Sequence, residues 1–530
     1  MRVLGIEGTA WSASAAIVET DSGVTAMESR GYSPDSGGIH PREAAEHMAD
    51  TLPSVVAAVL EGQSIDAVAF SRGPGLGPCL RTVATTARTV AQVRDVPLVG
   101  VNHMVAHLEV GRYAAGFRDP VCLNASGANA HVLGYRDGRY RILGETMDTG
   151  VGNAIDKFAR HVGWAHPGGP TVESHAIDGG YIELPYVVKG MDFSFSGIMS
   201  AAKEAYDAGE AIEDICFSLQ ETVFAMLTEV SERALSLTGR DELVLGGGVG
   251  QNARLQDMLT TMCADRGATF HAPEARFLRD NAGMIALLGA TMFGAGDTLP
   301  IDESTIRANY RPDAVPVTWR DAVDESAMDV ATKTRGAEAS VEISSEAVVK
   351  RRHRKAYRHD ALDRRLRNER TAAEARMLKS ARALGIPTPV IQDLDRLHGS
   401  LTLEHVGDRD LRDDPTGPRL RAVGRHLATL HNAGMVHGDP TVRNVRVAPA
   451  ETGIEADGRL YMIDFGLSFH SDHVEDYAMD LHVLIQSLDG TVAQADALSE
   501  AALTGYAQAS DHSRAVRTQL DEVSERGRYQ

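Results

Sequence analysis

The 530-residue chain has little cysteine, little lysine, few aromatics and no long apolar run, and each scarcity closes off a class of protein. Its four cysteines, Cys79, Cys122, Cys216 and Cys263, stand singly without CxxC spacing. That excludes a disulfide framework and a zinc knuckle and predicts buried, inert thiols. No segment approaches the ~20 apolar residues of a membrane span. The opening Met1-Arg2-Val3-Leu4-Gly5-Ile6 runs into a strand-like segment without the apolar core and cleavage site of a signal peptide. A soluble, cytoplasmic chain with no membrane partner is therefore expected. Seven of the 53 basic residues are lysine and 46 are arginine, on a net charge of −20. Such a surface suits high salt, where charge repulsion is screened and solubility limits; a GC-rich codon bias gives the same composition.

One stretch runs against the acidic total. Lys350, Arg351, Arg352, Arg354, Lys355, Arg358, Arg364, Arg365, Arg367 and Arg370 stand against three acidic residues between positions 350 and 370. This strip suits nucleic-acid phosphates, or else is the solvated face of a helix. The length exceeds one ordinary core and implies roughly two to four domains. Val3–Arg30 and Val121–Met147 share a pattern of apolar strand, small polar Gly-containing turn and further strand, a weak internal repeat. Helical periods over Arg42–Leu60, Gly77–Val93 and Ile212–Leu237, with short strands at Ala67–Phe70, Leu98–Val101 and Leu243–Leu245, fit two duplicated α/β halves facing a cleft. The aperiodic polar stretch from Trp319 to Lys333 reads as a linker.

His103 and His107 lie four apart, so on a helix both imidazoles leave one face and can share a metal. Met104 stands where a zinc peptidase needs its glutamate, which argues against a metallopeptidase. Glycine-rich loops at Ser71–Gly77, Ser126–Asn129, His166–Pro170 and Gly246–Asn252 supply backbone N–H groups that can approach a phosphate closely. Together they predict a nucleotide site with metal assistance.

These residues resemble a known family. Gly5-Ile6-Glu7-Gly8-Thr9, Gly37-Gly38-Ile39-His40-Pro41-Arg42, the Ser71–Gly77 loop, His103-x-x-x-His107, Gly152-Asn153-Ala154-Ile155-Asp156-Lys157, the Gly168–Glu173 loop, Ser194-Phe195-Ser196-Gly197 and Asp280-Asn281-Ala282-Gly283-Met284 are similar to the TsaD/Kae family over nearly all of residues 1–310. The resemblance implies an actin-like, hexokinase-like fold. It also implies transfer of threonylcarbamoyl from its adenylate to N6 of the adenine beside the anticodon in tRNAs reading ANN codons. By position, His103, His107 and Asp280 are implied ligands of one Fe(2+) or Zn(2+) ion. Asn124, Ala125, Ser126, Gly127, Ala128, Asp156, Gly169, Glu173 and Asn252 are the implied binding set for threonylcarbamoyl-AMP. The family's loop tyrosine is here Asn124, a neutral and weaker ligand. No residue stands out as the base for the amine proton.

A second constellation follows. Lys350 closes a strand-like Ala-Val-Val, and Glu374 on a helix from about Asp360 to Ala383 suits its ion-pair partner. Asp439 and Asn444 stand five apart in His437-Gly438-Asp439-Pro440-Thr441-Val442-Arg443-Asn444, and Asp464-Phe465-Gly466 follows an apolar strand. This order is that of a kinase catalytic base, two magnesium ligands and a phosphate-contacting lysine. Lys333, Thr334, Arg335, Gly336, Ala337, Glu338, Ala339, Ser340 and Val341 stand where a kinase covers ATP. His-Gly-Asp replaces His-Arg-Asp, and no activation segment is recognisable.

With Lys355–His359, Ile463–Phe469 and the terminal arginines, this half resembles the small PRPK/Bud-type kinase of the KEOPS complex. The expected architecture is a duplicated actin-like/hexokinase-like α/β domain over 1–325, then a small bilobal protein-kinase-like α+β domain over 326–530. Expected partners are tRNA, threonylcarbamoyl-AMP, ATP with Mg(2+), and the small Cgi-type and Pcc-type KEOPS subunits. The competing reading is a signalling protein kinase with a nucleotide-sensing first domain.

Overall fold

The structure, a computed structural model, describes residues 1–20, 22–32, 39–127, 129–136, 138–320, 336–344, 347–396, 398–448, 459–492 and 494–525. Ala128, Lys333, Thr334, Arg335, Gly37, Gly38 and the terminal arginines beyond 525 lie outside the described residues, as does the 325/326 boundary.

The first unit opens with β1 (Arg2–Glu7), β2 (Ser12–Glu19) and β3 (Gly23–Gly31), followed by α1 (Pro41–Leu60), β4 (Ala67–Gly73), α2 (Gly77–Arg94), β5 (Leu98–Asn102) and α3 (His103–Ala115). The plan recurs in β6 (Val121–Ala125), β7 (Ala130–Arg136), β8 (Arg139–Glu145), α4 (Val151–His161), α5 (Gly169–Ala176) and the hairpin β9 (Val188–Lys189) and β10 (Asp192–Phe193). It continues through α6 (Ser196–Asp207), α7 (Ile212–Thr238), β11 (Glu242–Gly246), α8 (Ala253–Arg266), β12 (Thr269–His271), α9 (Ala275–Leu278) and α10 (Ala282–Gly294).

The two sheets have one topology, β3-β2-β1-β4-β5 and β8-β7-β6-β11-β12: an antiparallel meander, then two parallel strands. The weak repeat of the sequence is thus a duplicated fold. Helices α3 and α10 lie between the sheets, Val105, Leu108, Ile285 and Leu288 packing against Val3 and Val101 of one and Cys122 and Leu133 of the other. On α2, the buried Cys79, Leu80, Val83, Ala84, Ala87 and Ala91 make the apolar stripe that its period announces.

The second unit has a small lobe of β13 (Ala339–Ile343), β14 (Ala347–Arg352), α11 (Asp360–Ala383), β15 (Ile391–Asp395) and β16 (Ser400–Glu404), its sheet ordered β13-β14-β16-β15. A helical lobe follows: β17 (Arg409–Asp410), α12 (Gly417–Asn432), β18 (Met435–Val436), β19 (Val445–Val447), β20 (Leu460–Met462), β21 (Phe469–His470), α13 (Val474–Thr491), α14 (Ala495–Ala509) and α15 (Ser513–Glu525). The helix expected over Asp360–Ala383 forms with those bounds, capped by the His359 ring accepting from Ala361 N.

The units meet along α7, a 27-residue helix buried on nearly all sides although it carries Glu221, Glu229, Glu232 and Arg233. Its acids take the basic strip. Arg358 and Arg370 bind Glu229, the latter at 3.0 Å, while Lys355 and Tyr357 bind Glu232. This overturns the expectation of a phosphate-binding surface or a solvated helix face. Lys350, Arg352, Lys355, Arg358 and Arg370 are buried, and Arg365 binds Glu183, leaving Arg351, Arg354 and Arg364 exposed. A charged group is buried only with its counter-charge, and the neighbouring helix supplies it. The expected linker also begins later than its composition suggests. Arg320 is buried over the Tyr135 ring at 3.9 Å and pairs with Asp119 at 3.3 Å, so it belongs to the first unit.

A second polar contact joins β10 to α13. Asp192 accepts from Glu145 N at 2.8 Å and stands 3.7 Å from His482. Burial and the nearby Glu145 push its carboxyl up to about 8. An acid whose folded-state pKa is raised holds its proton longer in the folded chain, so its contribution to stability is full at low pH and is lost as pH rises from about 4 to about 8. Asp192→Asn should flatten the fall of the thermal midpoint across that window. An unchanged slope assigns the pH dependence elsewhere.

Candidate active sites

The first site is built by the starts of two helices. Asn102 caps α3, its side chain accepting from Val105 N at 3.0 Å, which starts the helix at His103 and turns His103 and His107 to one side. Asn281 caps α10 in the same way through Met284 N at 3.0 Å, and so fixes Asp280 immediately before it. Nε2 of His103 and Nε2 of His107 each lie 3.3 Å from Asp280 Oδ1, and one ligand atom from each residue falls within 4.8 Å of the others.

Glu7, at the end of β1, stands behind His103, with Oε2 3.0 Å from Nδ1; its Oε1 accepts from Thr9 N at 2.7 Å and Thr9 Oγ1 at 2.6 Å. Burial opposes a charged His103, yet Glu7 and Asp280 raise it to about 10. Burial likewise opposes ionisation of Asp280, yet the two imidazoles hold it far below the carboxylate range. His107, buried beside His103, is lowered. Two buried carboxylates flanking two imidazoles call for positive charge, and two nitrogens and an oxygen suit iron or zinc as donors. A carboxylate behind a ligating histidine is the usual outer support of such a site. Sequence reasoning quoted Glu7 in its motif without giving it a role; the signal was an acid at the end of a buried strand.

The cluster opens into a cavity of about 1500 Å³. Ser126, Gly127, Asp156, Gly169, Glu173 and Asn252 line it as the sequence implied. Their contacts within the chain are positional. Asp156 accepts from Gly168 N at 2.7 Å and meets His166 at 3.0 Å, Glu173 accepts from Ala253 N at 2.9 Å, and Asn252 caps α8 through Arg254 N at 2.9 Å. Gly247 has φ +88°, and a side chain there would strike Ala125 O at 2.4 Å, so the two phosphate-type loops pack backbone to backbone. Asn124 and Ala125 depart from the expected set. Both are fully buried in β6 and do not line the cavity, because the strand runs through the middle of its sheet; the Asn124 amide rests on Met104 Sδ at 3.8 Å. From the second unit, Glu522 of α15 reaches the cavity wall.

The second site assembles every kinase residue that the described chain carries. Lys350 Nζ lies 2.9 Å from Glu374 and 2.6 Å from Asp464; Asn444 Nδ2 donates to Asp439 Oδ2 at 3.1 Å. Arg352, unmarked in the sequence reading, pairs with Glu374 at 2.7 Å. Burial pushes Asp439 up to about 6. Asp480 of α13 accepts from His437 N at 2.7 Å and Gly438 N at 2.8 Å and so holds the catalytic loop.

The structure also explains the His-Gly-Asp departure. Gly438 has φ +83°, and a Cβ would meet Leu467 O at 2.4 Å, so an arginine does not fit there. Of the expected ATP segment, Gly336 to Val341 leads into β13, where Val341 lies opposite Lys350. Ala337 O takes Lys355, Ser340 meets His353, and Glu338 is bound by Arg370 at 2.7 Å and by Arg233 of α7. Arg233 also stands 3.6 Å from Asp439, so the first unit reaches into the kinase-type cleft.

Fold and sites define a two-unit protein, an actin-like and hexokinase-like half with a His/His/Asp cluster joined to a half built as a protein kinase. The TsaD family, described as tRNA N6-adenosine threonylcarbamoyltransferase, matches residues 25–287. A Halobacterium salinarum protein named "Probable bifunctional tRNA threonylcarbamoyladenosine biosynthesis protein" is 63% identical over 535 residues, covering 100% of this chain and 99% of its own. Relatives with the same name are 60% identical in Haloarcula marismortui, covering 100% of both chains, and 50% identical in Methanospirillum hungatei, covering 99% of both. The chain belongs to this family of bifunctional tRNA threonylcarbamoyladenosine biosynthesis proteins.

Glu7→Gln should weaken binding of zinc about 10- to 100-fold in a competition titration against a chromophoric chelator; unchanged affinity would free Glu7 from the ligand system. Gly438→Arg, which restores the tripeptide of ordinary kinases, should lower unfolding stability by about 1–3 kcal/mol in denaturant titration. Wild-type stability would show that the loop relaxes around Leu467.

Proposed function

We propose that the chain transfers the threonylcarbamoyl group from threonylcarbamoyl-AMP to N6 of the adenine beside the anticodon in tRNAs reading ANN codons, in the cytoplasm and together with the small Cgi-type and Pcc-type subunits of a KEOPS assembly. The observation that carries this reading is the convergence of His103, His107 and Asp280 on the cavity that Ser126, Gly127, Asp156, Gly169, Glu173 and Asn252 line. Backbone N–H groups at the starts of α4 and α5 bind the adenylate phosphate, and Asp156, Glu173 and Asn252 face its ribose and base. His103, His107 and Asp280 would hold one Fe(2+) or Zn(2+), which supplies Lewis acidity to an acyl carbonyl when bound. The walls align the weakly nucleophilic amine with the mixed anhydride, and orientation of this kind removes much of the barrier.

The second unit is proposed as a regulatory ATPase, with serine/threonine phosphorylation a secondary capacity. Lys350, positioned by Glu374, contacts the ATP phosphates under the Gly336–Val341 segment; Asp464 and Asn444 hold Mg(2+), and Asp439 is the catalytic carboxylate. Only seven residues separate Gly466 from α13, too short a segment to dock a protein substrate, which disfavours the signalling-kinase reading. Glu522 at the cavity wall supports a link between ATP turnover and the tRNA cycle.

His103→Ala or Asp280→Ala should abolish transfer while ATP hydrolysis persists. Asp439→Ala or Asp464→Ala should abolish hydrolysis and slow multiple-turnover modification while sparing the first round on prebound tRNA, since conformational steps and product release often limit turnover. Full transfer by His103→Ala overturns the transferase assignment. Equal loss in single and multiple turnover by Asp464→Ala overturns the release role.

A further inference from the structure

The cavity wall holds a pair of titratable side chains that neither the metal cluster nor the loops use. In the second sheet, Asn124 of β6 lies opposite His131 of β7, and His131 lies opposite Glu145 of β8. Residues directly opposite one another point to the same face of a sheet, and adjacent strands are ~4.8 Å apart. The three therefore form one row. Asn124 touches Met104, which lies between the two ligand histidines on α3, so the row looks toward α3.

Glu145 reaches this row through an irregularity. Leu133 pairs with Ile142 but Val132 pairs with Gly144, which leaves Leu143 as an extra residue on β8. Without that bulge Glu145, three residues beyond Ile142, would point to the opposite face. Bulges re-aim side chains in this way and are frequent beside active sites.

His131 and Glu145 are 5% and 6% exposed and both line the cavity. His131 Nε2 stands 3.4 Å from Glu145 Oε2, at the long limit of a hydrogen bond, and Glu145 Oε2 makes no other. Nδ1 of His131 has no hydrogen-bond partner among the described residues. An ionised carboxylate only accepts, so Nε2 carries the hydrogen and Nδ1 is left with a free lone pair. Burial opposes ionisation of Glu145, but His131, Arg311 and His482 together hold its carboxyl below the ordinary range. The remaining charged group here, Asp192, accepts from Glu145 N on the side toward α13. A buried imidazole oriented by a carboxylate, with its second nitrogen unbound, is the construction of a general base.

We propose that His131 is the proton acceptor of the transfer reaction and that Glu145 is its positioning residue; this rests on the transferase reading above. The amine nitrogen bonds to the carbamoyl carbon, the bond from that carbon to the phosphate oxygen breaks, and AMP departs with the electron pair. The surplus amine proton passes to His131 Nδ1, and the imidazolium stays paired with Glu145 until the proton passes to solvent.

The test uses the full chain with its partner subunits, preformed threonylcarbamoyl-AMP and an unmodified tRNA reading an ANN codon, in single turnover across pH. Wild type should show a rate that rises through a histidine ionisation and then levels. His131→Gln should lose roughly 100- to 10,000-fold in rate together with that pH limb, while tRNA affinity and ATP hydrolysis stay at wild-type values. Glu145→Gln should slow transfer and move the limb to lower pH, because the imidazolium loses its counter-charge.

A His131→Gln chain that transfers at the wild-type rate with the same profile overturns the proposal. So does one whose loss is matched by lost tRNA binding. Should His131→Gln fail to fold, Glu145→Gln and the wild-type profile decide: a wild-type rate independent of pH between about 5 and 8 overturns it equally. Absence of any transfer by wild type, by contrast, brings down the transferase reading itself.

Discussion

Three guanidiniums converge on the buried carboxylate of Glu229, one from its own helix and two, Arg358 and Arg370, from the kinase-type unit. Glu338 returns the arrangement from the other side, binding Arg233 and Arg370. No member of such a set can be left alone. Desolvating a charge costs several kcal/mol, and breaking a buried pair by removing one partner costs about 3–5 kcal/mol. The seam therefore fixes how the two units meet, and with it the approach of Arg233 to Asp439, the contact of α13 with β10 and the place of Glu522 on the cavity wall. The acidic excess of the whole chain says nothing of this, since what matters is that α7 places its acids in the path of one basic strip.

Within the first unit, the sheet-and-helix layering does comparable work for chemistry. Capping by Asn102 and Asn281 starts α3 and α10 where His103 and Asp280 must face each other. Strand β1 brings Glu7 up behind His103 from the other sheet. The neighbouring wall carries the His131 and Glu145 row, set by strand register and by the extra residue at Leu143. Metal ligands and proton acceptor thus come from different layers of the fold, so each can be held rigidly without crowding the other.

The local elements were legible because they rest on short-range physics. The buried spacing of α2, the capping of α11 and the recurrence of the meander follow from periodicity and turn chemistry. The chemistry-bearing motifs were legible for the same reason, since His103 and His107 share a helix face at any tertiary arrangement, and Asp439 and Asn444 lie in one loop. Asn124 and Ala125 were misjudged because adjacency in a motif does not reveal that β6 is a central strand whose side chains enter the core. Arg320 looked like linker because its partners, Asp119 and Tyr135, are nearly two hundred positions away.

By itself, then, the sequence determined the helices and strands, the duplicated first unit, the kinase-type second unit and the residues of the metal cluster, all properties of local period and spacing. Only the tertiary structure decided what the basic strip binds, that Glu7 backs His103, that Gly438 must be glycine against Leu467, and that Glu145 faces His131. Each of these depends on a partner brought near by folding or on a single-residue shift of register. A charge pattern carries no record of its counter-charge, and a strand's alternation reverses at one inserted residue.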